Sequence, residues 1–96
     1  MAQIEIVWSQ SALNDIQEIV SFISRDSEQY AVNFATRIVE TVETLGQFPE
    51  IGRVVPEYNN PEIRELIYRN YRVVYKVNPG IVEIITVFQG SRLLDD

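Results

Sequence analysis

Arg64, Arg69, Arg72 and Lys76 fall within one short stretch of a 96-residue chain whose formal net charge is −6. Clustered cations on an otherwise acidic chain suit a phosphate or an acidic partner surface. Arg53 precedes the cluster and Arg92 follows it, so six cations in this half are candidates for binding. Residues 1–48 hold seven acids and two bases, residues 49–96 seven acids and six bases, so any functional end marked by charge is the C-terminal half. The available chemistry is narrow. The chain has no histidine, which excludes imidazole acid–base catalysis, and no cysteine, which excludes disulfides and thiolate metal sites. Arginine holds charge but shuttles protons poorly, because its pKa exceeds ~12. No metal or cofactor is expected, and the net negative charge argues against direct DNA binding by this chain.

Elements to position these residues are readable from periodicity. Arg64 to Val77 reads as two strands turning near Arg69-Asn70. Tyr71, Val73, Tyr75 and Val77 share one face, and Arg72, Val74 and Lys76 the other. Aromatic residues more often face a core, which puts the cations outward. Gln3 to Trp8 alternates as a first strand. Ser9 or Ser11 then offers an N-cap for a helix with Ala12, Ile16, Ile19, Val20 and Ile23 on one stripe, ending near Arg25. Asp26 and Gln29 have capping-box spacing before a second helix with Ala31, Phe34, Ala35, Ile38, Val42 and Leu45 as its stripe. Gly46 is placed as the residue that ends it, with Pro49 beyond. The short link forces an antiparallel helical hairpin.

Phe48 to Glu62 carries three prolines and Gly52, and reads as a long packed loop. Asn78-Pro79-Gly80 is a turn signal with positive φ expected at Gly80. Ile81 to Phe88 is apolar at nearly every position and is expected to be a central strand. The order β-α-α-β-β-β gives an α+β fold: an antiparallel helical hairpin on one face of a small, mainly antiparallel sheet. At this length residues 1–96 are expected to form one domain. No apolar run approaches the ~20 residues of a membrane span and no signal peptide is visible, so a cytoplasmic protein is expected.

Pieces of the chain, in order, resemble the RelE/ParE superfamily of bacterial toxins from toxin–antitoxin (plasmid stabilisation) systems. They are Trp8-Ser-x-x-Ala12, Asp15-Ile-x-x-Ile19, Phe22-Ile23, Ala31-x-x-Phe34, Leu45-x-x-Phe48-Pro49-x-x-Gly52-Arg53, Val55-Pro56-Glu57, Arg64-x-Leu66, Tyr71-Arg72-x-x-Tyr75 and Ile85-x-Val87-x-x-x-x-Arg92. The resemblance covers nearly the whole chain and implies the fold reached above. It also implies a cognate antitoxin as partner, a hetero-oligomer with it, and operator binding by the antitoxin.

The superfamily acts in two ways. ParE-like members bind and inhibit DNA gyrase. RelE-like members are metal-independent endoribonucleases that cut mRNA on the ribosome, and there the resemblance would make Arg72 and Arg92 catalytic cations. This chain departs from the nuclease pattern. Lys76 is its one lysine, no tyrosine follows Phe88, and Gln89 stands near where many relatives carry histidine. The departures and the Phe-Pro-Glu-Ile-Gly-Arg loop favour the gyrase-directed branch. A degenerate member that only binds antitoxin is a further alternative. Under the binding reading Arg53, Arg64, Arg69, Arg72, Lys76 and Arg92 are the target or antitoxin contacts, and an antitoxin arm with basic residues would suit the acidic chain.

Each residue also has a structural reading. Arg53 would pair Glu50 or Glu57. Arg64 and Arg69 would be ion-pair partners of Glu65 or Glu83, worth little if exposed. Tyr71, Tyr75 and Trp8 would be core, and Asp15 and Glu18 solvated charges on an outer helix face.

Overall fold

A computed structural model describes residues 4–90. The chain runs β1 (Glu5–Trp8), α1 (Gln10–Ser24), α2 (Glu28–Glu43), a single 3-10 turn (Thr44–Gly46), β2 (Arg53–Val54), β3 (Ile63–Tyr68), β4 (Tyr71–Asn78) and β5 (Ile81–Gln89). The strands form one sheet in the order β1-β5-β4-β3-β2. β1 runs parallel to β5, and every other neighbouring pair is antiparallel. The α+β arrangement matches the sequence reading, with one addition: two residues of the proline-rich segment pair with β3 as a short edge strand. β5 lies between β1 and β4, as its apolar sequence predicts.

The apolar stripes meet where expected. Phe34, Ile38 and Val42 of α2, with Leu45 and Ala12, pack on Val73, Tyr75, Val82, Ile84 and Val87 of the sheet. Burying each large side chain contributes about 1.5–3 kcal/mol. The tyrosine–valine row of β4 therefore faces the helices, and Tyr71 sits 4.9 Å from the Phe34 ring centroid. Gly80 has φ +75, as the Asn-Pro-Gly turn requires.

At α1 one of the two N-caps offered by the sequence is realised, and two other details of the helices differ from the sequence reading. Ser9 is the N-cap of α1, its hydroxyl accepting from the Ala12 N–H at 3.0 Å. At α2 the cap is Ser27 rather than Asp26, because its hydroxyl sits three residues before the Tyr30 N–H it accepts. Gly46 does not end α2 in a left-handed conformation. The helix tightens into the 3-10 turn instead, which satisfies its last carbonyls locally.

Asp15 is not a solvated helix charge. Where β1 stops, β5 would present bare edge groups, and α1 covers them. The Ser9 N–H reaches the Ile84 carbonyl, and the Ser9 hydroxyl donates to the Ile85 carbonyl at 2.9 Å. Asp15 accepts from the Thr86 hydroxyl at 2.7 Å and the Val87 N–H at 3.0 Å. Pairing jumps here from Tyr75–Ile84 to Val74–Thr86, leaving Ile85 as an unmatched bulge residue. The bulge and its polar cover lie outside what strand alternation reveals.

Candidate functional site

Alternation puts Arg72 on the sheet face away from the helices, as the sequence indicated. It is not outward in the sense of exposed: Arg72 is 3% accessible and Glu65, beneath it on β3, is 1% accessible. The Arg72 Nε lies 2.5 Å from Glu65 Oε1, and its Nη2 lies 3.4 Å from Glu57 Oε2. The other Glu65 oxygen takes Arg53 Nε at 2.7 Å. One buried carboxylate thus binds two arginines with both oxygens. The guanidinium carbon of Arg72 lies 5.2 Å from the Phe88 ring centroid. Burial works against the charged form of Arg72. Hydrogen bonding and Coulomb attraction from Glu65, then from Glu57, outweigh it and hold its pKa above the ordinary arginine value.

Arg53 pairs Glu65, not Glu50 or Glu57, because the β2–β3 register sets Arg53 directly opposite Glu65. Glu65 is the hub that sequence reasoning missed. Its signal is an acid lying at period two between Ile63 and Ile67 on one strand face.

Arg64 points to the opposite face from Glu65, its neighbour in sequence, so the expected ion pair cannot form. It works on backbone carbonyls instead: Nη1 donates to Glu50 at 3.2 Å and Gly52 at 2.9 Å, and Nε to Pro61 at 3.1 Å. Beside it, the buried Tyr75 hydroxyl accepts from the Gly52 N–H at 2.9 Å. Burial raises the Tyr75 phenol above its ordinary range, against the opposing pull of the Gly52 N–H and Arg64. Arg64 and Tyr75 together pin the Phe-Pro-Glu-Ile-Gly-Arg loop to the sheet edge. A Cβ on Gly52 would sit 2.6 Å from both the Glu65 carbonyl and the Tyr75 hydroxyl, so glycine is required by close approach.

Arg69 occupies the β3–β4 turn with φ +55 and is exposed, with Nε 3.3 Å from the Tyr68 hydroxyl. It pairs neither Glu65 nor Glu83. Lys76 is half-buried, opposite Ile63 and Glu83, with no ion pair among the described residues. Arg92 lies outside the described residues. The six expected cations are therefore not one open patch: Arg53 and Arg72 share Glu65, Arg64 fastens a loop, and Arg69 stands apart at a turn. Among the described residues no group of three or more His, Cys, Asp or Glu side chains is placed to hold a metal ion.

Residues 6–94 match the family model described as the ParE toxin of the type II toxin–antitoxin system parDE. The chain is similar to Toxin RelE2 of Caulobacter vibrioides, with 30% identity over 90 residues that cover 93% of this chain and 98% of the relative. Its fold is similar to a chain of the chromosomal ParDE toxin–antitoxin system from P. aeruginosa, with a TM-score of 0.77 at 20% identity, covering 94% of this chain and 99% of the other. With a family model spanning nearly its full length and the same arrangement of hairpin and sheet, the chain belongs to the ParE toxin family of type II toxin–antitoxin systems.

Proposed function

We propose that this protein is the growth-inhibiting component of a toxin–antitoxin module, acting in the cytoplasm by binding DNA gyrase and neutralised by a cognate antitoxin in a hetero-oligomer. The observation that carries the reading is the Arg72–Glu65 pair. A ribonuclease needs cations free to meet the phosphate as charge builds in the transition state. Arg72 is the strand arginine that would serve, and it is buried, bound to one carboxylate and near a second. The chain also lacks histidine and has one lysine, which leaves few groups to move a proton. A binding toxin has no such requirement.

Brief induction of the toxin alone in a bacterial host, with amino-acid and thymidine incorporation followed minute by minute, tests this. The expected result is early loss of DNA synthesis while translation continues. Prompt loss of protein synthesis with DNA synthesis intact would overturn the gyrase reading and put the ribosome and mRNA in its place. Unimpaired growth would reduce the protein to an antitoxin-binding relic.

A further inference from the structure

Arg25 and Arg69 differ from the other described arginines. Arg37 pairs Glu40, Arg53 and Arg72 pair Glu65, and Arg64 binds backbone carbonyls. Arg25 and Arg69 bind neither a carboxylate nor a carbonyl through their side chains among the described residues. Each lies over an aromatic ring instead: Arg25 is 5.9 Å from the Phe22 centroid and Arg69 is 5.6 Å from that of Tyr68. Arg25 caps the C-terminal end of α1, and Arg69 lies in the β3–β4 turn. A cavity of about 390 Å³ opens between the hairpin and the β3–β4 turn, lined by Ile23, Tyr30, Phe34, Tyr68, Arg69 and Tyr71. Tyr30 is 68% exposed and Phe22 64%, so the apolar surface continues past the cavity toward the tip of the hairpin.

The position of Arg69 adds an independent observation. Its φ of +55 is a left-handed conformation that is unfavourable for a side chain of this size and that glycine would adopt freely. A strained cation lining a cavity is what a binding role would retain.

We propose that this cavity is the anchor site for an acidic segment of a partner protein, taking one aromatic or large aliphatic side chain between the tyrosines while a flanking carboxylate meets Arg69. That the partner is a protein rests on the toxin reading above; the chemistry of the pocket does not. Tyrosine and arginine around an apolar pocket are the usual makings of an interface hot spot. The charge argument fixes the sign. The chain as a whole favours a basic partner, yet here Arg69 lines the pocket with no carboxylate partner among the described residues, so the segment that enters it carries acids. The Tyr68 ring already faces the protein's own Arg69 guanidinium, which disfavours a cationic ligand beside it.

The test is NMR titration of the full chain with three probes: the peptide Ac-Glu-Glu-Phe-Glu-Glu-amide, its Ac-Lys-Lys-Phe-Lys-Lys-amide counterpart, and adenosine monophosphate. The acidic peptide is expected to shift the amides of Ile23, Asn33 and Tyr71 and to bind at least about five-fold more tightly than the basic one. Arg69→Asn, which suits the same turn, removes most of that preference, and Tyr30→Ala, at an exposed position, weakens both peptides. Equal or tighter binding of the basic peptide at these amides overturns the proposal, as does no shift by the acidic one. Tighter binding of the nucleotide assigns the pocket to a phosphate ligand instead. Residues 91–96 include Leu93, Leu94, Asp95 and Asp96. If the full-length double variant L93S/L94S binds the acidic peptide ten-fold more tightly, the occupant is this chain's own segment rather than a partner. Failure here, with loss of DNA synthesis still seen in cells, leaves the toxin reading in place.

Discussion

Arg72 and Glu65 meet at 2.5 Å with both side chains almost wholly buried. Such a pair is weak evidence of added stability over an apolar core, but breaking it strands a charge and costs about 3–5 kcal/mol. Glu65→Leu and Arg72→Met are each expected to lose about that much in urea denaturation, whereas the two combined recover a large part of it. Simple additivity of the losses in the double-mutant cycle would show that the two residues are not coupled.

Gly52→Ala places a methyl group against the backbone carbonyl of Glu65 and the hydroxyl of Tyr75. Because the carbonyl belongs to a paired strand and cannot step aside, a loss of about 1–3 kcal/mol is expected. Crystallography or amide exchange of the variant is expected to show the Phe48–Gly52 loop lifted from the sheet edge. An unshifted loop with wild-type stability would contradict the close approach.

Tyr75 makes stability fall at alkaline pH. Its folded pKa lies above the unfolded value of about 10, so its contribution is complete below that pH and is lost as pH rises through the raised value. Tyr75→Phe leaves the Gly52 N–H unpartnered and is expected to be less stable at pH 8 by about 1–3 kcal/mol. Thermal melts from pH 8 to 11 are expected to show that gap narrowing. A gap constant across this range would mean that Tyr75 does not titrate with unfolding.

Ser9 caps α1 and holds the bulge carbonyl of Ile85 with one hydroxyl. Ser9→Ala is expected to cost about 1–2 kcal/mol, at or above the usual loss of a cap. Asp15→Ala bares the Val87 N–H, and its effect is expected to be non-additive with Ser9→Ala. Amide exchange at Val87 reports it directly: faster exchange in Asp15→Ala is the expected outcome, and unchanged protection would count against this edge cover.

Arg69→Asn relieves a left-handed arginine with a residue that tolerates the conformation, for an expected gain of up to about 1 kcal/mol. In a chain of this size that raises Tm by roughly 4–8 °C. Paired with the peptide titrations, it separates a residue kept for binding from one kept for folding. A lower Tm would mean that Arg69 serves the turn itself.

The layout of helices and strands was legible in the sequence because each depends on a local period. The apolar stripes on both helices, the Tyr-x-Val-x-Tyr row of β4 and the Asn-Pro-Gly turn carry their own signals. The cations were not legible in the same way. Alternation gives Arg72 its face, but whether that face is open depends on Glu65 and Glu57 arriving from other elements. Arg64 and Arg53 are next to the right partners only because a two-residue strand forms in a segment whose prolines hide it. Asp15 finds Val87 across 72 positions of sequence, and nothing in its own neighbourhood announces that.

The parallel pairing of the first strand with the last has a consequence for synthesis. In the sheet β1 touches only β5, and Ser9 bonds Ile85 across 76 positions. On the ribosome β1 therefore gains a neighbour in the sheet only after β5, some 76 positions later, has been made. Such non-local closure is slow, and an unpaired edge left open meanwhile can accept a stray strand. The helical hairpin faces no such delay, since its contacts are local. A partner present during translation would meet the hairpin before it meets the finished sheet.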